Sequence, residues 1–210
     1  MSWTSGVGRV CGALLDAIVR MLALTRINPN LLTVMGLVVN TYAAFLFGYA
    51  SGENQRRMFL YAGLVIIGSG FFDLVDGRVA RALNKVSLFG AFFDSVVDRY
   101  SDASLLFGLI VYYARGNRFF YVVLTAMVMI SSIMVSYARA RAESLIGTCR
   151  VGFMERPERL VLLIIGALFN VMAPVLWVIA VLSTITVIHR IVYTWQRTKE
   201  MEAPAAGQAA

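Results

Sequence analysis

The chain has 210 residues, of which 59% are hydrophobic, and a mean hydropathy of +0.73. Soluble domains of this size are about half apolar, so the composition excludes a water-soluble globule and indicates a membrane protein. The net charge of +7 is scattered between apolar stretches instead of gathered on one soluble face, which argues against nucleic acid and for anionic headgroups or phosphorylated substrates. Cys11 and Cys149 are too few and too far apart to suggest a disulfide framework or a thiolate metal site.

In chain order, residues 9 to 27 alternate apolar and charged positions at near-helical spacing, the pattern of an amphipathic helix lying in the membrane interface. Asp16, Arg20 and Arg26 interrupt this segment, so it reads as retained and not as a cleaved signal. Residues 31 to 50 and 119 to 138 are uncharged runs of twenty, long enough to cross a hydrocarbon core of roughly 30 Å. Residues 58 to 72 and 103 to 114 are shorter, and each runs into an aspartate-bearing stretch that completes a crossing. Residues 160 to 189 carry no Asp, Glu, Lys or Arg, and a turn at Asn170 to Pro174 divides them into a helical hairpin. The expected fold is all-α and integral to the membrane, with six transmembrane helices after the interfacial one. It forms a single domain over 1–200, followed by an Ala, Gly and Pro tail expected to be disordered over 201–210.

Basic residues are retained on the cytoplasmic side of a membrane. With the N-terminus inside, Arg56, Arg57, Arg115 and Arg118 fall outside and the other fifteen of the nineteen Lys and Arg inside. This orientation puts the ends of helices two, four and six and the starts of three and five at the cytoplasmic face of the cell membrane.

Residues 73 to 98 read DLVDGRVARALNKVSLFGAFFDSVVD, which places Asp73, Asp76, Asp94 and Asp98 at that face. An ionised carboxylate at membrane depth costs about 2.5–3.5 kcal/mol, less near the interface, so four of them require a compensating cation. The spacings of three and four residues project each pair from one helical face, and antiparallel helices can bring the pairs together. With no His or Cys nearby, the oxygen-only donor set suits Mg²⁺ or Mn²⁺, as one ion or as two flanking a phosphate. Gly77, Ala80 and Gly90 remove bulk where a nucleotide could approach the backbone, and Arg81 can neutralise phosphate charge.

The eight residues Asp73, Asp76, Gly77, Ala80, Arg81, Gly90, Asp94 and Asp98 match every fixed position of D-x2-D-G-x2-A-R-x8-G-x3-D-x3-D. A chance match has a probability on the order of 10⁻⁹ per start site, so coincidence is set aside. In this the chain resembles the CDP-alcohol phosphotransferases, and the likeness to their six helices preceded by an interfacial helix covers nearly its whole length. The resemblance implies that the first three aspartates bind metal and the CDP pyrophosphate, that Asp98 is the general base, and that the enzyme is a homodimer. It also implies a nucleotide-side role for the segment Asn28 to Thr33, with Asn30 and Thr33 as contacts. Asn30 reads equally well as a helix N-cap.

A second cluster comprises Ser136 to Glu143, Glu155-Arg156-Pro157-Glu158-Arg159, and Arg190. Taken singly, each arginine is explained by topology; taken together, they offer paired charge-assisted hydrogen bonds to a phosphate. The stretches S-Y-x-x-A-R-A-E and E-R-P-E-R resemble those of bacterial phosphatidylinositol-phosphate synthases. The resemblance implies transfer from a CDP-diacylglycerol-type lipid to inositol 1-phosphate, with Ser136, Arg139, Arg156 and Arg190 around the acceptor's phosphate. Arg139 stands where that family has lysine. The alternatives are a phosphatidylglycerophosphate synthase, whose acceptor is also phosphorylated, and a metal-cation carrier. The carrier does not explain an arginine beside a cation path. His189 reads as a packing or interface residue, and Asp102 as an exposed carboxylate or a partner of Arg99.

The four carboxylates carry one prediction. Release of CMP from a CDP-lipid should require Mg²⁺ or Mn²⁺ absolutely, and undiminished turnover after exhaustive chelation would remove the metal from the mechanism.

Overall fold

The structure is a computed structural model that describes residues 28–82 and 87–206. Within it, the side chains of Asp73, Asp76, Gly77, Ala80 and Arg81 lie outside the described part, as does the segment 9–27 read as an interfacial helix. Six helices alternate in direction: α1 Pro29–Tyr49, α2 Gln55–Ala82, α3 Leu88–Arg115, α4 Phe119–Ile146, α5 Arg156–Leu168 and α6 Met172–Ala206. By length and composition, α1, α4 and α6 can each cross a membrane. At thirteen residues, α5 is about 20 Å long.

Local chemistry sets the helix ends. Asn28 caps α1 by accepting the Asn30 N–H at 3.1 Å, and Pro29 occupies the first turn, where its missing donor costs nothing. The cap is therefore Asn28, and Asn30 lies inside the helix. Ser87 caps α3 by accepting the Gly90 N–H at 2.9 Å. The turns after α3 and α5 are closed alike: Asn117 (φ 52°) and Asn170 (φ 55°) adopt the left-handed conformation. The next amides, of Arg118 and Val171, then donate five residues back to Tyr113 and Gly166 at 2.9 Å. Asparagine tolerates this conformation better than most residues. The break between α5 and α6 thus falls at 169–171, and Pro174 belongs to the first turn of α6 instead of to the turn expected there. The last helix runs on through Ala206, past the expected start of a disordered tail. The alanines that suggested disorder by composition are also the strongest helix formers.

Helix α1 packs along both α2 and α3, while α4, α5 and α6 complete the bundle. Contact with α3 is close at Gly108, where an added Cβ would run into the Ala44 backbone. Such small-residue contacts let helices approach in lipid, where apolar attraction between them is weak. Buried hydrogen bonds join the same helices, from Asn40 Nδ2 to Ser101 Oγ at 3.0 Å and from Ser69 Oγ to the Gly36 carbonyl at 3.2 Å. The outward faces carry Val38, Phe45, Ile130, Ile185 and Ile188, all exposed, as suits a surface solvated by lipid.

The interior is graded along its length. At the end holding the 50–54, 116–118 and 169–171 turns it is apolar, built on Phe47, Phe59, Leu109, Tyr113, Leu176 and Ile179. Toward the opposite end the buried residues turn polar: Asp102, Ser132, Arg159, Thr186 and Arg190. That polar end collects the start of α1, the end of α2, the starts of α3 and α5, and the ends of α4 and α6.

Gly108→Ala should separate α1 from α3 and cost about 1–3 kcal/mol, read as a lowered Tm in detergent micelles. Gly68→Ala, where nothing lies within 4 Å of the new methyl, is the control and should not destabilise. Equal Tm values for the two variants would refute this packing.

Candidate functional site

The polar end is built around α3. Asp94 and Asp98 are one turn apart and both half-buried on this helix. Gly90 lies one turn earlier, where an added Cβ would sit 3.0 Å from Ser87 Oγ and 3.6 Å from Asn30 Oδ1. The start of α1 therefore adjoins the start of α3, with Thr33 buried one helical turn beyond Asn30. The backbone at Asp73, Asp76, Gly77, Ala80 and Arg81 is helical and forms the last turns of α2. Among the described residues no three His, Cys, Asp or Glu side chains converge, and Asp73 and Asp76 are outside that set. The donors α3 offers, Asp94 and Asp98, are carboxylate oxygens, a chemistry that fits a hard divalent cation.

Across from these aspartates, α5 begins at Glu155-Arg156. The Arg156 guanidinium donates from Nη1 to Asp98 Oδ1 at 2.9 Å and from Nε to Asp102 Oδ1 at 3.4 Å. Arg159, one turn on, donates from Nη2 to Asp102 Oδ2. Two carboxylates on one face of α3 thus meet two guanidiniums on one face of α5. Asp102 is only 7% exposed and contacts Arg156 and Arg159, contrary to the expectation of an exposed or Arg99-paired group. Arg99 instead donates to the Ser95 carbonyl and lies 3.9 Å from Asp98. The backbone of α3 explains this: positions four apart share a face, so Asp102 follows Asp98 inward while Arg99 points away.

A second knot adjoins the first through Glu155. Its Oε1 accepts from Arg139 Nη1 on α4 and from Arg190 Nη2 on α6, each at 2.8 Å. Arg139 also pairs with Glu143 at 3.0 Å. Arg190 is 1% exposed, and its other donors go to the carbonyls of Val151 and Val135. Its guanidinium is thus spent inside the protein, on the loop before α5 and the last turns of α4. Ser136, half-buried, follows Val135 on α4. The loop itself is pinned by Gly152, whose φ of 100° suits glycine and whose added Cβ would strike Thr186. Thr186 Oγ1 also accepts the Met154 N–H at 3.1 Å. His189 is exposed on α6.

The sequence pattern of the CDP-alcohol phosphatidyltransferase family matches residues 26–206, which include the six helices of the described residues and both charged clusters. The chain belongs to this family. It is 40% identical over 188 residues to an archaetidylinositol phosphate synthase of Pyrococcus horikoshii, covering 89% of this chain and 93% of the relative. It is 33% identical to a phosphatidylinositol phosphate synthase of Streptomyces avermitilis over 88% of this chain and 79% of that one. The phosphatidylinositol phosphate synthase of Mycobacterium tuberculosis with CDP-DAG bound superposes with a TM-score of 0.78 at 28% identity. That match covers 87% of this chain and 94% of the other. The same enzyme in complex with manganese and citrate gives 0.75 at 28% identity, over 86% and 88%.

In this phosphatidyltransferase the structure joins Asp98 to Arg156 directly, and it ties Arg139 to Arg190 through Glu155. Sequence reading missed Glu155 as the hub, and Asp102 with Arg159 as the inner pair. The available signals were the row Asp94, Asp98, Asp102 at four-residue spacing and the three-residue step from Arg156 to Arg159.

Because Arg190 joins three segments from a buried position, Arg190→Ala should lower stability by about 3 kcal/mol, removing the donors to the Val151 carbonyl and to Glu155 and the extra contact to the Val135 carbonyl. Thermal unfolding in micelles measures this, and an unchanged Tm would refute the knot.

Proposed function

We propose that this protein transfers a phosphatidyl-type group from a CDP-diacylglycerol-type lipid to inositol 1-phosphate, releasing CMP and forming a phosphatidylinositol phosphate. The observation that carries the reading is the Arg156–Asp98 contact at 2.9 Å, which sets the arginine cluster against the family's last aspartate. An acceptor held through its phosphate at Arg156 would present its hydroxyl to a carboxylate one side chain away. The relatives' names support the same acceptor, since they differ in the lipid and agree on inositol phosphate.

In this reaction Asp98 takes the proton from the acceptor hydroxyl as its oxygen bonds to the lipid-side phosphorus. The bond from that phosphorus to the CMP oxygen breaks, and CMP leaves with the electron pair. Asp73, Asp76, Asp94 and Asp98 are the residues proposed to hold Mg²⁺ or Mn²⁺. When bound, the cation neutralises charge on the pyrophosphate and on departing CMP. The complex of the mycobacterial enzyme with manganese supports a divalent cation as the cofactor. Asn30, Thr33, Gly77, Ala80, Arg81 and Gly90 are the residues proposed for the nucleotide side. Ser136 and Arg156 are the proposed direct contacts to the acceptor phosphate, with Arg139 and Arg190 bracing Glu155 beside them.

The reading extends to six crossings of the cell membrane after an interfacial segment, in a single domain over residues 1–200, with the polar end at the cytoplasmic face and two copies per enzyme. The placement of basic residues supports the orientation. Cysteine labelling from outside that reaches the polar end, or a particle mass of one chain by light scattering, would remove the corresponding part.

A panel assay of CMP release tests the acceptor. Inositol 1-phosphate should be used, and free inositol largely refused, because an unphosphorylated ring leaves guanidinium groups unpaired. Arg156→Ala should lower kcat/KM for inositol 1-phosphate roughly ten- to a hundredfold through the acceptor KM, with the CDP-lipid KM little changed. Asp98→Asn should abolish transfer while CDP-lipid still binds. Preference for glycerol 3-phosphate would instead assign a phosphatidylglycerophosphate synthase, and equal use of free inositol would sink the phosphate-binding role.

A further inference from the structure

Asp102 has no place in the reaction as derived above, and at 7% exposure it cannot meet a soluble acceptor itself. Its two oxygens nevertheless reach both arginines of α5: Oδ1 accepts from Arg156 Nε at 3.4 Å, and Oδ2 accepts from Arg159 Nη2. Asp102 thereby holds Arg156 at Nε while Asp98 holds it at Nη1, which restricts the plane and direction of a long side chain with many rotamers. A counter-ion for Arg159 alone would have no need to touch Arg156. We propose that Asp102 is a positioning residue that orients Arg156 toward the acceptor's phosphate, with Arg159 locking the carboxylate from behind. The inference rests on the reading of Arg156 as an acceptor-phosphate contact.

The geometry also explains how the device works. Asp98 and Asp102 are four apart on α3, and Arg156 and Arg159 three apart on α5, so the pairs form two rungs between the helices. The outer rung is 17% exposed at Asp98 and 20% at Arg156, open enough to exchange a contact for an incoming phosphate. The inner rung is closed, with Arg159 buried at 3%. When phosphate oxygens arrive, the Nε contact to Asp102 can persist, so the guanidinium turns about a fixed point instead of being released into all of its rotamers.

Asp102→Asn keeps the shape but removes the counter-charge and replaces one of the two acceptor oxygens by an amide donor. It should raise the KM for inositol 1-phosphate about tenfold, with the CDP-lipid KM unchanged. The same change leaves Arg159 buried without its carboxylate, so a structural effect must be separated from a positioning one. Asp102→Asn/Arg159→Met does this by removing both charges of the inner rung. Arg159 Nη1 already makes no hydrogen bond among the described residues, which favours tolerance of the methionine. The expected result is a Tm near wild type with the acceptor KM still raised, and no further rise when Asp102→Asn is added to Arg156→Ala. If the single variant fails to accumulate, Asp102→Glu keeps the charge, displaces the carboxylate by one methylene and should raise the acceptor KM at near-normal Tm. Recovery of the acceptor KM in the double variant would make Asp102 a mere counter-ion, and independent, multiplying effects of Asp102→Asn and Arg156→Ala would equally overturn the inference. A wild-type acceptor KM in all Asp102 variants, with Arg156→Ala impaired, would overturn the positioning role alone. A wild-type acceptor KM in Arg156→Ala would overturn the reading of Arg156 and the inference with it.

Discussion

A guanidinium or carboxylate drawn into a helix bundle must find an opposite charge, because removing either from water costs several kcal/mol. In this chain that requirement couples α5 to α3 through Arg156, Arg159, Asp98 and Asp102, and couples α4 to α6 through Arg139, Glu155 and Arg190. The two sets share the Glu155–Arg156 peptide. The start of α5 is therefore the point from which the polar end is organised, and the short length of this helix suits that task. It enters the bundle at the site, presents charges over its first turn and then becomes apolar.

The grading of the interior separates stability from chemistry. Rings and aliphatic groups such as Phe47, Phe59, Leu109 and Leu176 fill the end away from the charges, with Phe47 and Phe59 edge to face at 5.0 Å between centroids. There, burial and dispersion hold the helices at fixed distances. Groups whose pairing depends on direction occupy the other end, and they inherit that spacing. The close approach of α1 to α3 at Gly108 and Ala44 belongs to the same division, since it fixes the axis on which Asp94, Asp98 and Asp102 are carried.

Membership of the phosphatidyltransferase family accounts for the aspartate motif, and the structure adds what stands opposite it. The arginines are not equivalent. Arg156 bridges to the aspartate helix with part of its surface open, whereas Arg190 is consumed by two carbonyls and Glu155. A cluster that looks uniform in sequence divides into an arginine with part of its surface open and one whose donors are used inside the protein.

The sequence by itself determined the membrane class, the six helical segments and the eight-residue motif. Each of these is local: apolar run length, turn chemistry and carboxylate spacing along one helix need no knowledge of distant residues. It also grouped the ends of the second, fourth and sixth helices with the starts of the third and fifth, since alternation of direction follows from short connections. Only the tertiary structure decided which charges meet. Asp102 could have faced solvent or Arg99, and its burial against Arg159 depends on the rotation of α3 relative to α5, set by packing across the whole bundle. The same holds for Glu155, whose two arginine partners lie 16 and 35 residues away. Pairing over such separations is chosen by which helix faces are brought together, and no spacing within a single segment encodes it.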